Sequence, residues 1–305
     1  MTPDHAPGNP VSENPVSENP VTAHPRPGFP DQEQPHPGRT GAMEPRPDHG
    51  EESYRGSGLL RDRVALVTGG DSGIGRAVCL AYAREGADVV FAHLPEEAED
   101  ARETVRLVED AGRKALAVPC DIREEEACRA LVERTAAEFG RIDVLVNNAA
   151  YQMAQTDGIE AITTEQFDRV MRTNLYGMFW LTKAALPHIP EGGSIVNSAS
   201  VQAYKPSPPL LDYAMTKGAI VTFTHGLAQQ LAPRGIRVNA VAPGPVWTPL
   251  IPATMPDTSE FGGQAPLGRP AQPSEMAPAY VFLASSAASF ITGEIMNATG
   301  GTPLP

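Results

Sequence analysis

The sequence predicts one globular α/β domain, with a doubly wound parallel β-sheet and helices on both faces. Apolar runs of strand length alternate with helical patterns from residue 63 onward, and such alternation is typical of a parallel sheet with right-handed crossovers. A glycine-rich turn follows the first apolar run. Several later runs end in polar residues, and sheets of this class bind ligands at the carboxyl ends of their strands.

Composition narrows the class of protein. The chain has 305 residues and a formal net charge of −13, which argues against nucleic acid or an anionic membrane as a main partner. Its three cysteines lie inside predicted elements without a Cys-x-x-Cys motif, as expected of reduced structural thiols. No apolar run approaches the length of a membrane span, and the first residues lack a signal-peptide pattern. We therefore expect a cytoplasmic location, and no motif predicts a metal site.

The first 58 residues differ in composition from the rest of the chain. Prolines are dense, and Asn-Pro-Val-Ser-Glu occurs twice in tandem, at residues 9–13 and 14–18. Such a segment carries too little apolar surface to offset the entropy of ordering it. We predict a disordered tail at 1–33, an extended N-terminal arm at 34–58 and the folded domain at 59–305.

The first strand and the turn after it predict a dinucleotide site. Residues 63–68 form an apolar run that ends in Thr68-Gly69-x-x-x-Gly73-Ile74-Gly75, and a helical pattern follows. Strand, glycine turn and helix form the Rossmann arrangement, in which glycines let the backbone approach a pyrophosphate at the helix N-terminus.

The alternation then continues to the end of the chain. Further strands are predicted at residues 88–93, 115–118, 142–146, 194–197 and 236–241. Helices are predicted at residues 96–111, 124–139 and 163–186, and from Tyr213 to about residue 232. A helix at 274–284 and a strand at 293–298 complete the domain.

Polar residues near the strand ends leave several alternatives open. Asp121 suits either an adenine amino group or the N-cap of the next helix. Asn147 suits either a cofactor or a tie between neighbouring strands, and the residues alone favour the tie. Asn174 lies mid-helix, where the residues alone favour a buried structural amide. The second strand ends in His93-Leu94, which offers neither an acid for a ribose hydroxyl nor a base for a 2′-phosphate, so NAD and NADP both stay open.

A hydroxyl, a phenol and an ammonium follow the fifth strand. They belong to Ser200, Tyr213 and Lys217, and the spacing of the last two places them on one face of a helix. An ammonium beside a phenol favours the phenolate and lowers the pKa of the tyrosine. Such a tyrosine can exchange a proton with an alcohol or a carbonyl near neutral pH.

Together these motifs resemble the short-chain dehydrogenase/reductase family in order and separation. The resemblance covers residues 59–301, with one departure at Ala150, where the family usually has glycine. Residues 47–58 also resemble the N-terminal extension of a bacterial subgroup that includes glucose or general-stress dehydrogenases and aldehyde reductases. The motifs that carry the family resemblance are Thr68-Gly69-x-x-x-Gly73-Ile74-Gly75, Asn147-Asn148-Ala149, Asn174, Ser200, Tyr213-x-x-x-Lys217 and Pro243-Gly244.

The resemblance implies an NAD- or NADP-dependent oxidoreductase that interconverts an alcohol and an aldehyde or ketone. Tyr213 would be the general acid/base, and Ser200 would hold the substrate oxygen. Lys217 would bind the nicotinamide ribose and keep Tyr213 acidic, while Asn174 would hold a water of a proton relay. The implied cofactor-binding residues are Gly69, Asp71, Ser72, Gly73, Ile74, Gly75, His93, Leu94, Asp121, Ile122, Asn147, Ala149, Tyr213, Lys217, Pro243, Gly244, Val246 and Thr248.

The loops after the fourth to sixth strands offer Gln152, Ser200, Gln202 and Trp247 as candidate substrate residues. Apart from Lys205, no arginine or lysine stands where a substrate carboxylate or phosphate would obviously dock, so a small neutral carbonyl or a sugar is expected. The family usually forms homotetramers, and the arm at 34–58 could lie across a neighbouring subunit. The alternative is a nucleotide-binding sensor or scaffold whose proline-rich tail recruits partners. The complete Asn-Ser-Tyr-Lys set argues against that alternative.

Overall fold

A parallel sheet of seven strands forms the centre of the computed structural model, which describes residues 19–304. Its order is β3-β2-β1-β4-β5-β6-β7, and every neighbouring pair is parallel. The order reverses between β1 and β4, and a ligand crevice is expected beyond the strand ends at such a switch point. The strands are β1 (Val64–Thr68), β2 (Asp88–His93), β3 (Ala115–Pro119), β4 (Val144–Asn147), β5 (Ser194–Ser198), β6 (Arg237–Pro243) and β7 (Ile295–Ala298).

Helices cover both faces of this sheet, which confirms the predicted fold class. Helices α1, α2 and α8 pack on one face, while α3, α5 and α6 pack on the other. A π-helical turn, Arg172–Tyr176, joins α4 to α5 within the single long helix predicted there. The helices are α1 (Gly73–Arg84), α2 (Ala98–Asp110), α3 (Glu125–Phe139), α4 (Thr164–Met171), α5 (Gly177–Ala185), α6 (Leu211–Leu231), α7 (Leu250–Thr254) and α8 (Pro273–Ala284).

The central strands are buried on both faces, which explains their continuous apolar sequences. In β1, Ala65 and Val67 pack with the helices of one face and Leu66 with those of the other. Because these runs have strand length and end in turn residues, their boundaries could be predicted closely, and each strand lies within two residues of its predicted range.

The described part of the N-terminal extension (residues 1–58), from residue 19 to residue 58, packs on the domain. The tandem repeat at 9–18 lies outside the described residues. Residues 19–33, predicted to be disordered, instead pack on the domain, because Phe29 stacks on the Trp247 ring with centroids 4.2 Å apart. Phe29 is only 5% exposed, and the burial of one aromatic ring supplies the apolar contact that the prolines around it lack.

The arm at 34–58 packs along its own subunit. Tyr54 donates a hydrogen bond to Glu85 at the end of α1 (2.7 Å), and the same carboxylate accepts from the backbone N–H of Ser57 and of Leu59. Arg84 donates to the carbonyl oxygens of Gly50 and Tyr54. The arm therefore makes these contacts within its own chain, and the suggested contact with a neighbouring subunit stays a prediction.

Within residues 19–304, every helix is too short or too polar to cross a membrane.

Candidate active site

A cleft with a cavity of about 390 Å³ opens at the carboxyl ends of β1 to β6. The loops after all six strands line it, so residues far apart in sequence meet there. The predicted site residues that line it are Gly69, Asp71, Ser72, Gly73, Ile74, His93, Leu94, Asp121, Ile122, Ala149, Gln152, Ser200, Gln202, Tyr213, Lys217, Pro243, Gly244, Val246 and Thr248.

The glycine turn after β1 has a shape that side chains would destroy. Gly69 and Gly73 adopt φ values of +64° and +51°, in the left-handed region that favours glycine. A Cβ on Gly75 would fall far inside van der Waals contact with the Gly69 carbonyl oxygen, so Gly75 supports the turn from behind without lining the cleft. Helix α1 begins at Gly73, and its N-terminus faces the cleft. The turn therefore fits a pyrophosphate.

Two acids line the cleft near the ends of β1 and β2. Asp71 is 2% exposed, and its Oδ2 has no hydrogen-bond partner among residues 19–304. Glu97 accepts a hydrogen bond from the Leu94 backbone N–H at 2.7 Å. Burial raises the pKa of both carboxyl groups, and the nearby Asp71 raises the pKa of Glu97 further. Together with His93, these acids define what we call the β1–β3 end of the cleft.

Asp121 also lines this end, but neither alternative from the sequence describes it fully. Its carboxylate accepts hydrogen bonds from the backbone N–H and the Nε of Arg123, at 3.0 and 2.9 Å. The hydrogen bond to Arg123 lowers the pKa of Asp121. The N-cap of α3 is Glu124, so Asp121 does not cap that helix.

Asn147 and Asn174 lie below the cleft and hold its floor together. Asn147 Nδ2 donates to Asn197 Oδ1 on β5 (2.9 Å), the strand tie that the residues alone had favoured. The Asn174 amide exchanges two hydrogen bonds with the backbone of Tyr151 and donates a third to Thr216. Neither residue lines the large cleft, but both line a cavity of about 10 Å³ beneath it that Lys217 also faces. That cavity has room for about one water molecule.

Ser200, Tyr213 and Lys217 meet at the opposite end, which we call the β4–β6 end. Lys217 Nζ donates to the Ser198 carbonyl oxygen at 2.7 Å and lies 5.2 Å from the centroid of the Tyr213 ring. Ser200 Oγ accepts from the Gln202 backbone N–H at 3.1 Å. The fifth strand and the i, i+4 spacing on α6 therefore bring all three side chains to one wall.

Burial controls the charges of this group. It raises the pKa of Tyr213 to about 12, against a lowering by the neighbouring Ser200 hydroxyl. It lowers the pKa of Lys217 to about 7. The sequence had suggested that Lys217 lowers the pKa of Tyr213. The pKa of Tyr213 is instead raised, because burial disfavours the phenolate.

Trp247, proposed from sequence as a substrate residue, does not line the cleft. It is fully buried, and its Nε1 donates to the Pro45 carbonyl oxygen at 2.8 Å. The N-terminal extension covers the ring with Phe29 and Met43. The prediction for Trp247 is therefore wrong. Its sequence neighbours Val246 and Thr248 line the cleft, but the Trp247 side chain instead anchors the N-terminal extension.

Several residues that line the cleft were missed. His36 lies in it and presents its ring to that of Tyr151, with centroids 4.9 Å apart. Arg169 on α4 donates to His36 Nδ1 at 3.0 Å and stacks on the same tyrosine, 4.0 Å from its centroid. Nothing in the local sequence of either residue indicates a site, since the contact joins positions 133 residues apart.

These features define an oxidoreductase of the nicotinamide-cofactor class. A family model described as enoyl-(acyl carrier protein) reductase matches residues 69–302. The glucose and ribitol dehydrogenase homolog 2 of Arabidopsis thaliana is 50% identical, over 90% of this chain and 97% of its own length. The NADPH-dependent aldehyde reductase 1 of the same plant is 48% identical, over 87% and 94%.

A solved structure agrees with these matches. The 3-ketoacyl-(acyl-carrier-protein) reductase of Brucella melitensis, solved with NADH, is 36% identical and superimposes with a TM-score of 0.73, over 79% of this chain and 98% of its own. The chain belongs to the short-chain dehydrogenase/reductase family, and it is an NAD- or NADP-dependent oxidoreductase. The sensor or scaffold alternative is not favoured.

Proposed function

We propose that the protein interconverts a small neutral aldehyde or ketone and its alcohol, with Tyr213 as general acid/base. The observation that carries this proposal is the convergence of Ser200, Tyr213 and Lys217 on one wall of the cleft. A phenol whose pKa is raised to about 12 holds its proton at neutral pH. That proton is therefore present in the resting site and can pass to a carbonyl oxygen during reduction.

Each side chain has a distinct part in that reaction. The nicotinamide cofactor, when bound, supplies or accepts the hydride. Ser200 holds the substrate oxygen by a hydrogen bond and stabilises charge that develops on it. Tyr213 gives its proton to that oxygen. Lys217, with a pKa near 7, can carry a proton to Tyr213 from the water-sized cavity beneath it.

The remaining lining of this end supports a neutral substrate, although Arg169 also lines the cleft, where it already contacts His36 and the Tyr151 ring. The amides of Gln152 and Gln202 are already engaged, the first with Thr254 Oγ1 (3.0 Å) and the second with the Ser207 backbone N–H (2.7 Å). Apolar side chains complete the wall, among them Leu210, Ile251, Met255 and Phe261. The names of the two plant relatives, for a glucose and ribitol dehydrogenase and an aldehyde reductase, point in the same direction.

The test compares Tyr213→Phe with the control variant Tyr204→Phe. Tyr204 is a second tyrosine near Ser200, and it does not line the cleft. Wild type is first assayed against aldehydes, ketones and sugars with NADH and NADPH. Tyr213→Phe should lower turnover by about 10²- to 10⁴-fold, the usual contribution of a general acid, with cofactor affinity unchanged. Tyr204→Phe should keep full activity. Full activity in Tyr213→Phe, or no turnover of any carbonyl by wild type, would overturn the proposal.

We also propose that the protein assembles as a homotetramer in the cytoplasm. Exposed large apolar side chains are concentrated on α4 to α6 and the turn between them, as expected of a subunit interface. All three cysteines are free and buried, as expected in a reducing compartment. Sedimentation of the full chain tests the assembly, and a monomer would contradict it. The side chains concerned are Phe167, Tyr176, Phe179, Leu211 and Met215.

A further inference from the structure

A short part of the N-terminal extension crosses the mouth of the cleft. We call residues 34–40 the strap, and three of them, His36, Pro37 and Gly38, line the cavity itself. The glycine turn and the catalytic side chains line the same cavity, although they lie more than thirty residues further along the chain. The site is therefore incomplete without a segment that the folded sheet does not supply.

The strap contacts three different parts of the domain around the cleft. Gln34 donates its backbone N–H to the Pro252 carbonyl oxygen in the segment after β6 (3.0 Å). His36 accepts from Arg169 on α4 (3.0 Å). Thr40 donates its backbone N–H to Asp100 Oδ2 on α2, at 3.0 Å. The strap thus connects α4 and the segment after β6 to the start of α2. The start of α2 lies near the β1–β3 end of the cleft.

Close backbone packing fixes the middle of the strap. A Cβ on Gly38 would overlap the Pro249 carbonyl oxygen and lie 3.2 Å from Ala253 Cβ. Both neighbours belong to the segment that also contributes Thr248 and Leu250 to the cleft. Gly41, three residues further along, has open space where its Cβ would stand. Only the first glycine is needed for a close approach.

Anchors on both sides hold the strap in place. Before it, Phe29 stacks on Trp247, and the Gly28 backbone N–H donates to the Ser259 carbonyl oxygen (2.8 Å). After it, the Pro45 carbonyl oxygen accepts from Trp247 Nε1. One buried tryptophan of the segment after β6 therefore fixes the extension on either side of the strap. This anchoring explains why Trp247 is covered.

The His36 imidazole is neutral in this position. Burial, followed by the positive charges of Arg169 and Arg123, lowers the pKa of His36 to about 4. A neutral ring can accept the hydrogen bond from Arg169 and pack its edge on Tyr151, as the structure shows. The strap thus sits against this wall without adding a charge to it.

We propose that the strap retains the dinucleotide in the cleft of its own subunit, so that release of the cofactor requires the strap to open. The proposal rests on the proposed cofactor-dependent function. A segment that bridges the walls of an occupied cleft must lose contacts before a long ligand can leave, and such openings limit product release in many enzymes. The strap is a positioning element, and it takes no part in the chemical step.

The test compares Gly38→Ala with Gly41→Ala in the full chain. Dissociation of NADH and of NADPH is followed by stopped-flow fluorescence, without substrate. Gly38→Ala should dissociate on the order of tenfold faster, the change that a loss of ~1.4 kcal/mol of retention produces. Gly41→Ala should stay within about twofold of wild type, as surface changes usually do. His36→Ala, which leaves the backbone of the strap unchanged, should also dissociate faster.

Thermal unfolding of each variant shows whether the fold is kept. If Gly38→Ala does not fold, His36→Ala decides the matter. If NADH and NADPH dissociated from both Gly38→Ala and His36→Ala at the wild-type rate, the proposal for the strap would be overturned. The proposed function would still stand. Failure of the wild-type chain to bind either cofactor would overturn the proposed function and the strap together. Hydrogen exchange should also slow at the Gln34 and Thr40 amides on addition of cofactor, and unchanged exchange there would count against the strap.

Discussion

The two ends of the cleft bury charges of opposite sign. At the β1–β3 end, Asp71 and Glu97 are carboxyl groups whose pKa is raised by burial. At the β4–β6 end, Lys217 is an amine whose pKa burial lowers to about 7. Among residues 19–304, none of the three forms an ion pair. Elsewhere, the buried Arg76 is paired with Asp100 at 2.7 Å, and the buried Glu85 accepts hydrogen bonds from Tyr54, Ser57 and Leu59.

This difference separates charges that stabilise the fold from charges that serve a ligand. A buried charge without a partner costs stability, so its presence needs another reason. Titratable groups shifted by desolvation in a cleft are characteristic of functional sites. We propose that both ends receive groups from a ligand, hydroxyls at the acidic end and the reacting oxygen and ribose at the other. Substitutions can remove these charges from one end of the cleft at a time.

The largest effect is expected for Lys217→Met, which removes the buried ammonium and keeps most of its volume. Turnover should fall by about 10²- to 10⁴-fold, since proton transfer through Tyr213 is lost. The free energy of unfolding at pH 6 should rise by roughly 1–4 kcal/mol, because no uncompensated charge is then buried. Turnover of a carbonyl and urea unfolding without cofactor measure the two effects.

Lys183→Met on α5 is the matched control, since its side chain is exposed. It should change neither turnover nor stability appreciably. A Lys217→Met protein that is inactive and also less stable would show that the Ser198 hydrogen bond outweighs the cost of the buried charge. That result would mean that Lys217 stabilises the fold, so it would no longer differ from the paired charges in this respect.

A smaller effect is expected at the acidic end, on the choice of cofactor. In the double variant Asp71→Asn/Glu97→Gln, the affinity for adenosine 2′-phosphate relative to that for AMP should be about tenfold higher than in wild type. The reason is that the Asp71 carboxylate charge, which repels a phosphate, is gone. Glutamine can still accept the hydrogen bond from Leu94. Calorimetric titration of both nucleotides measures the ratio.

The control for this pair is Glu96→Gln/Glu109→Gln, which removes two exposed acids, one just before α2 and one near its end. It should leave the ratio of the two affinities unchanged. An equal change in both double variants would mean that overall charge, and not these two carboxyl groups, sets the preference.

The sheet could be predicted from sequence because its signals are local. A run such as Val64–Thr68 is apolar throughout and ends in a glycine turn, so both its type and its end are visible in a short window. The cap of α4 is equally local, because Thr163 Oγ1 accepts from the backbone N–H of Gln166, three residues further along. Strand ends then place Ser200 and Lys217 at the cleft without further information.

The rest of the site depends on contacts between distant parts of the chain. His36 reaches the cleft only because Phe29 and the Pro45 carbonyl oxygen find Trp247, more than 200 positions away. The composition of the extension predicts that it is too polar to fold. That prediction leaves out the free energy gained when one aromatic ring, Phe29, is buried on the surface of the folded domain. Desolvation of Tyr213 is likewise a property of the packed site, and spacing alone predicted the opposite direction for its pKa.

The smallest expected effect is on the pH dependence of stability, where the two ends should act in opposite directions. A carboxyl group whose pKa is raised binds more protons in the folded chain, so the contribution of Asp71 to the free energy of unfolding falls as the pH rises from about 4 to neutral. Lys217 loses its proton at a lower pH in the folded chain than in the unfolded chain, so its contribution to the free energy of unfolding rises from about pH 7 to about pH 10.

The free energy of unfolding of Asp71→Asn should therefore exceed that of wild type by on the order of 1–3 kcal/mol between pH 5 and pH 7, as measured by urea unfolding without cofactor. Lys217→Met should flatten only the alkaline side. If both variants followed the wild-type curve throughout, the opposed charges of the two ends would have no part in stability, and the contrast between them would be confined to ligand binding.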